Sequence, residues 1–315
     1  MSSRLIEVGQ ADVGETALLE NRAAARPRRK GRQAANQLLP TWMNRGARLG
    51  LSVFIAIPVC YLLILSLSPE DAVDAGRLFP SHLILSNYAK AWTEVQLGRG
   101  FIDSAVMGGS AALIAVLVST AAAYPLARYR FRGAAPLFYG TLGLQLVPGP
   151  MILLPLFVIY SMLRAVLDVT VVGSYWGLIL TYIAFSLPLS MWLMVGYVRT
   201  IPRELDDAAR VDGASGASIF WRVIVPLAVP GMVVAFVLSL LLGWNDVLFS
   251  SVLTTQTTRT AAVDIQLFTL TQNEEVVPLY APLMAAGVMV AIPVVAVYMF
   301  LQRYLVGGLA GGAVK

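Results

Sequence analysis

Cysteine and histidine are almost missing, with one of each, Cys60 and His82, in 315 residues. A lone cysteine excludes an intrachain disulfide framework. The same shortage removes the usual ligand sets for zinc. Charged residues are scarce too, at 13%. No Walker sequence and no glycine-rich phosphate loop can be found, nor a nucleophile–base pairing. A non-catalytic chain is therefore expected, with any ATP hydrolysis performed by other subunits. No folded basic domain exists to carry nucleic-acid binding, so the net charge of +5 needs another explanation.

What is abundant is apolar surface. Hydrophobic residues make up 57% of the chain, and mean hydropathy is +0.72. One soluble core of this size cannot hide that share, which points to an integral membrane protein. Crossing the hydrocarbon takes roughly 20 apolar residues per helix. Six runs qualify: 49–67, 104–124, 137–163, 175–198, 231–250 and 280–301. Their length and lack of alternation exclude barrel strands. Cys60 falls inside the first run and is expected to be a small buried apolar residue. His82, with no partner ligand nearby in sequence, is expected at the surface.

Six spans put both termini on one side. That side carries 18 Lys and Arg, the other five. The excess predicts cytoplasmic termini and explains the net charge as topology. Residues 1–48 are polar and rich in Ala and Arg, with Arg26-Pro27-Arg28-Arg29-Lys30-Gly31-Arg32. They are expected to form a largely disordered basic extension lying near anionic lipid. They contain no apolar core, so no cleavable signal peptide is expected. Asn87, Tyr88 and Trp92 mark an amphipathic segment at the outer interface.

Two runs contain polar or breaking residues at membrane depth. The third carries Gln145, Pro148, Gly149, Pro150 and Pro155, which predicts a kinked or locally unwound helix. Such breaks are tolerated only against protein or water. The fifth ends in Trp244-Asn245-Asp246. Helix rise places Asp246 about 22 Å from Gly231, in the outer half. Gln145, Pro148, Asn245 and Asp246 are therefore candidates for a translocation pathway or a permease interface.

Between the fourth and fifth runs lies a polar island, residues 200–226. Pro202 suits a first helical turn. Glu204, Asp206 and Asp207 complement the positive end of that helix. Gly213 supplies a positive φ to end it, and Ser215 can cap a second helix reaching Val225. Pro226 and Pro230 are expected to stop that second helix before the fifth span. Ala208 and Ala209 allow close approach, and Phe220 and Trp221 offer apolar area for a protein contact. Four acids against four arginines, counted from Arg199 to Arg222, favour a protein partner over lipid.

Asp207-Ala208-Ala209, then Gly213, then Val223 and Val225-Pro226, resembles the EAA loop of ABC importer permeases. Asp207 stands where that loop usually has Glu. Tyr124-Pro125-Leu126-Ala127-Arg128, Trp244-Asn245-Asp246 and the ending Gly311-Gly312-Ala313-Val314-Lys315 are similar to MalG-type carbohydrate permeases. The resemblance covers nearly all of residues 49–315 and implies an all-α type I importer permease fold, MetI-like, with six transmembrane helices. Residues 49–305 would form the membrane domain and 306–315 a cytoplasmic tail.

Several expectations follow from the resemblance. The partners would be a MalF-like second permease, an ATPase homodimer using ATP and Mg, and an extracytoplasmic sugar-binding protein, all in a bacterial inner membrane. Glu204, Asp207, Ala208, Ala209, Asp212, Gly213, Ala214, Phe220 and Pro226 would carry the ATPase stroke. Gly308, Gly312 and Lys315 would be a second ATPase contact, and the outer loop 251–279 would face the binding protein. A stand-alone ion-coupled transporter, or a permease for a solute such as glycerol phosphate, stays open as an alternative.

Overall fold

The structure is a computed structural model, and it describes residues 41–77, 79–80, 82–272 and 280–312. Two compact units divide the chain, Met1–Cys60 and Tyr61–Lys315. The first is described only from residue 41. Most of the expected basic extension lies outside the described residues, but 41–48 are helical and run unbroken into the first span. Helix α1 covers Thr41–Ser66. Cys60 on this helix is exposed, not buried as the sequence suggested. A hydrophobic run long enough to span does not say which of its faces meets protein and which meets lipid.

The second unit continues with α2 (Glu70–Asp74), α3 (Ser86–Thr93), α4 (Leu97–Arg128), α5 (Ala134–Leu144), α6 (Gly149–Leu167) and α7 (Tyr175–Thr200). After these come α8 (Glu204–Val211), α9 (Gly216–Ile219), a π turn (Phe220–Ile224) and α10 (Val225–Trp244). Helices α11 (Leu248–Leu253), α12 (Ala261–Gln272) and α13 (Tyr280–Gly312) complete it. Among the described residues six helices are long and apolar enough to cross a membrane, as the composition required. Helix α13 runs on to Gly312, so the residues expected as a tail are helical as far as 312.

Helices α4, α7 and α10 form the centre, each packing on the other two. Small residues let them approach. A Cβ on Gly243 of α10 would sit 3.3 Å from the Cα of Gly108 on α4 and 2.9 Å from the Tyr182 ring on α7. Buried polar pairs add direction to packing that lipid alone does not drive. Ser190 and Ser239 meet at 2.8 Å between α7 and α10, and Tyr160 and Thr181 at 3.1 Å between α6 and α7. The amphipathic segment around Asn87 is α3, and Asn87 is buried. Its amide donates to the carbonyls of Ser66 (3.0 Å) and Ser68 (2.8 Å), satisfying groups left open where α1 ends.

The third run is broken, as its prolines predicted. Helix α5 stops at Leu144, three tight turns follow through Val147, and α6 restarts at Gly149. Pro148 is the N-cap and Pro150 sits in the first turn of α6, where a missing N–H costs nothing.

Candidate coupling loop

Helix α8 starts with Glu204, Asp206 and Asp207 in its first turn and Arg210 in its last, the arrangement a helix dipole favours. Gly213 follows with φ +79°, and nothing lies within 4 Å of where its Cβ would be. Glycine is thus required here by backbone conformation and not by crowding. The Ser215 hydroxyl accepts from the Ser218 N–H at 3.3 Å and caps α9. The expected helix–turn–helix is present.

Its second arm does not stop where expected. Helix α9 passes through the π turn directly into α10, and Pro226 and Pro230 lie inside that continuous rod. Within the turn, Val225 N–H bonds to the Phe220 carbonyl, a five-residue step. The π turn takes up one extra residue just before Pro226, where the ladder lacks a donor. The helix that carries the fifth span therefore begins at Gly216, inside the loop, and is 29 residues long. The loop and the span are one mechanical piece.

The inner face of the loop is held by a pair that sequence reasoning missed. Asp206 is buried beside Arg128, the last residue of α4, and both side chains are only 3% exposed. Arg128 Nη2 donates to the Ile201 carbonyl at 3.0 Å and to Asp206 Oδ1 at 3.4 Å. Arg128 Nε lies 3.0 Å from Asp206 Oδ2 but off the hydrogen-bonding direction, so that contact is Coulombic. Arg203 reaches back to the Ala127 carbonyl at 3.2 Å. These links span more than 70 residues of sequence, and no local signal marks them. The adjacent acids Asp206 and Asp207 were the only hint, since neighbours on a helix must face different ways.

Asp207 indeed points outward. It pairs with Arg210 one turn along at 2.9 Å, and Arg210 Nη2 also donates to the Tyr129 hydroxyl at 3.4 Å. That hydroxyl is the main cause of a raised Arg210 pKa.

Phe220, expected at the contact surface, turns inward. Its ring lies 5.6 Å from Tyr124 and it packs on the core cluster of α4, α7 and α10. Trp221 is the exposed member of the pair. Glu204, Asp207, Ala208, Asp212, Gly213 and Pro226 are exposed, while Ala209 and Ala214 are half-buried. Val211 is 88% exposed at the tip, an apolar side chain with no cover from this chain.

The four candidate pathway residues do not converge. Gln145 lines a cleft of about 190 Å³ between α6 and α7. Pro148 caps α6. Asn245 is exposed and donates to the Leu241 carbonyl. Asp246 accepts from the N–H groups of Phe249 (3.3 Å) and Ser250 (2.9 Å) and from the Tyr182 hydroxyl (3.0 Å). It caps α11, and all these donors are internal.

A second polar knot sits at the opposite end of α4. Asp103 accepts from the Tyr175 hydroxyl at 2.6 Å, and Arg99 stands 3.7 Å away. On α12, Asp264 has its carboxyl pushed up to about 6 by burial, with Asp103 adding to the rise and Arg259 opposing it.

Gly308 and Gly312 fall on the last turns of α13. Lys315 lies outside the described residues, as do 273–279 of the outer loop. Among the described residues no cluster of His, Cys, Asp or Glu could hold a metal ion.

A family model for the binding-protein-dependent transport system inner membrane component matches residues 115–310. The chain is 36% identical over 264 residues to the trehalose transport system permease protein SugB of Mycobacterium tuberculosis, covering 83% of this chain and 93% of that protein. It is 32% identical over 261 residues to the melibiose/raffinose/stachyose import permease protein MelC of Bacillus subtilis, covering 82% and 91%. Among solved structures, a chain of a bacterial ABC transporter that imports the polysaccharide alginate superposes with TM-score 0.68 at 22% identity. That match covers 83% of this chain and 95% of that one, and it is a likeness of fold.

Proposed function

The chain belongs to the family of binding-protein-dependent transport system inner membrane components, and from that premise we propose that it is one of two permeases in an ATP-driven sugar importer. In this reading the chain hydrolyses nothing. An ATPase pair seats the loop Glu204–Pro226, and an extracytoplasmic binding protein delivers a sugar or short oligosaccharide to the other side. The names of the relatives, which include trehalose and melibiose/raffinose/stachyose permeases, support a saccharide over other solutes. Both termini would lie in the cytoplasm, with α13 and Lys315 offering a second ATPase contact. ATP and Mg would be held by the partner ATPase.

The observation that carries this reading is the two-sidedness of the loop. Its inner face is fixed to α4 by the buried Arg128–Asp206 pair, and its second arm is continuous with α10. Its outer face presents Val211 and Trp221 uncovered. A push on that outer face would move α4 and α10 together, as rigid-body switching between inward- and outward-facing states requires.

The test is reconstitution with the cognate permease, ATPase and binding protein. Gly213→Val forces a β-branched residue into a left-handed conformation and should deform the loop. Uptake and substrate-stimulated ATPase are expected to fall together in a complex that still assembles. Wild-type coupling in that complex would sink the role given to the loop. Uptake by the chain alone, without ATP, would sink the importer reading itself. Screening trehalose, melibiose and maltodextrins against the binding protein identifies the sugar class.

A further inference from the structure

Beside the coupling loop lies a cleft of about 550 Å³ lined by residues outside the loop itself. Its size falls within the range of ligand clefts, roughly 300–1,000 Å³. Around it stand Tyr129, Arg130, Arg132, Phe138, Tyr139 and Arg199. The lining contains no carboxylate. Among the described residues none of the three arginines makes an ion pair; those found involve Arg99, Arg128 and Arg210. All three arginines are exposed. Three guanidinium groups gathered without a counter-charge repel one another unless an anion joins them.

The depth of the cleft selects the anion. The membrane-crossing helices α4 and α7 end at Arg128 and Thr200. The floor of the cleft, Val195, lies in the last turns of α7, and the three arginines stand at or just beyond the two helix ends. Cationic groups at the polar boundary therefore sit above an apolar floor, with aromatic rings between them. Tyrosine and phenylalanine beside arginine at this level suit the interface of a bilayer. Arginine meets phosphate oxygens in forked pairs. An acidic peptide would satisfy the arginines but leave the apolar floor without acyl chains to fill it.

We propose that this cleft binds the headgroup of an anionic phospholipid, its phosphate held by Arg130, Arg132 and Arg199 and its chains running down past Val195. Basic pockets between transmembrane helices hold such headgroups elsewhere. Here the lipid would tie the start of α5 to the ends of α4 and α7, next to the base of the coupling loop.

The test uses the full chain in neutral detergent, titrated with phosphatidylglycerol, phosphatidylcholine or inorganic phosphate and read by native mass spectrometry. Phosphatidylglycerol should be retained on the order of tenfold or more above phosphatidylcholine. The triple variant Arg130→Gln, Arg132→Gln, Arg199→Gln should weaken phosphatidylglycerol retention on the order of a hundredfold, given about 1 kcal/mol for each basic residue near anionic lipid. The matching triple lysine variant keeps the charge and should retain lipid within about threefold of wild type. Arg45→Gln with Arg48→Gln, which removes basic residues of α1, should change little. Circular dichroism and elution volume establish that the glutamine variant is folded. Equal retention of the two lipids, or full retention by a folded glutamine variant, overturns the proposal. So does displacement by millimolar phosphate, which marks a simple anion site. Displacement by the purified ATPase subunit marks a protein contact and overturns it as well.

Discussion

Arg128 and Asp206 illustrate how a few side chains fix the working geometry. A buried pair is not in itself a source of stability, but removing one partner strands the other charge away from water, at about 3–5 kcal/mol. Asp206→Ala should therefore lower the unfolding free energy by about 3 kcal/mol in detergent. Asp206→Leu combined with Arg128→Met should recover most of it, because no charge is left buried. A double-mutant cycle by thermal denaturation measures the coupling. Additive single effects would show that the pair is not the link.

Asp264 gives a pH signature at the same scale. Its carboxyl is pushed up to about 6 in the folded chain, against roughly 4 when unfolded. The folded state thus binds this proton more tightly than the unfolded state. Its contribution to stability is complete below pH 4 and declines as pH rises through about 6. Asp264→Asn keeps the shape without the charge. It should raise the melting temperature at pH 7.5 relative to wild type and leave little difference near pH 4. The same gain at both pH values would refute the assignment. The groups facing Asp264, namely Arg259, Asp103 and the neighbouring Arg99 and Tyr175, stay in place in both proteins.

At the scale of elements, helix ends carry the information. Asp246 caps α11 through two N–H groups while holding the Tyr182 hydroxyl. Its loss to alanine should cost about 1–2 kcal/mol, as for other capping residues. Asp246→Asn should cost less and leave the KM for transport unchanged. A changed KM with unchanged stability would support the pathway role read from sequence. The π turn before Pro226 belongs to the same scale. Apolar periodicity cannot reveal it, since one extra residue shifts the register without changing composition. It converts an expected stop into a continuous rod, and so joins the loop to α10.

The whole molecule shows what remains open to lipid or partner. The hydrophobic windows of α6 and α13 are only 6% and 11% buried, against 56% for α7. Helix α7 is thus interior to this chain, and the other two present broad faces outward. A six-helix chain with such faces fits one half of a permease pair. The proposed orientation can be mapped in a Cys60→Ser background. A membrane-impermeant maleimide added to intact spheroplasts should label Thr257→Cys and spare Ala217→Cys. The reverse pattern would invert the topology.

The sequence by itself determined the six spans, the broken third run, the serine cap and glycine turn of the loop, and the resemblance of that loop to importer permeases, whereas Pro202, read as a first-turn residue, lies before a helix that starts at Glu204. Each is local: a run of apolar residues, a proline without a donor, a glycine with positive φ, a serine before a helix. Tertiary structure alone decided that Asp206 and not Asp207 is the buried anchor, that Phe220 faces inward, and that Cys60 is exposed. It also decided that Arg130, Arg132 and Arg199 share one cleft. These depend on which helix lies against which, and contacts across 70 or more residues are set by packing, which a one-dimensional pattern does not encode.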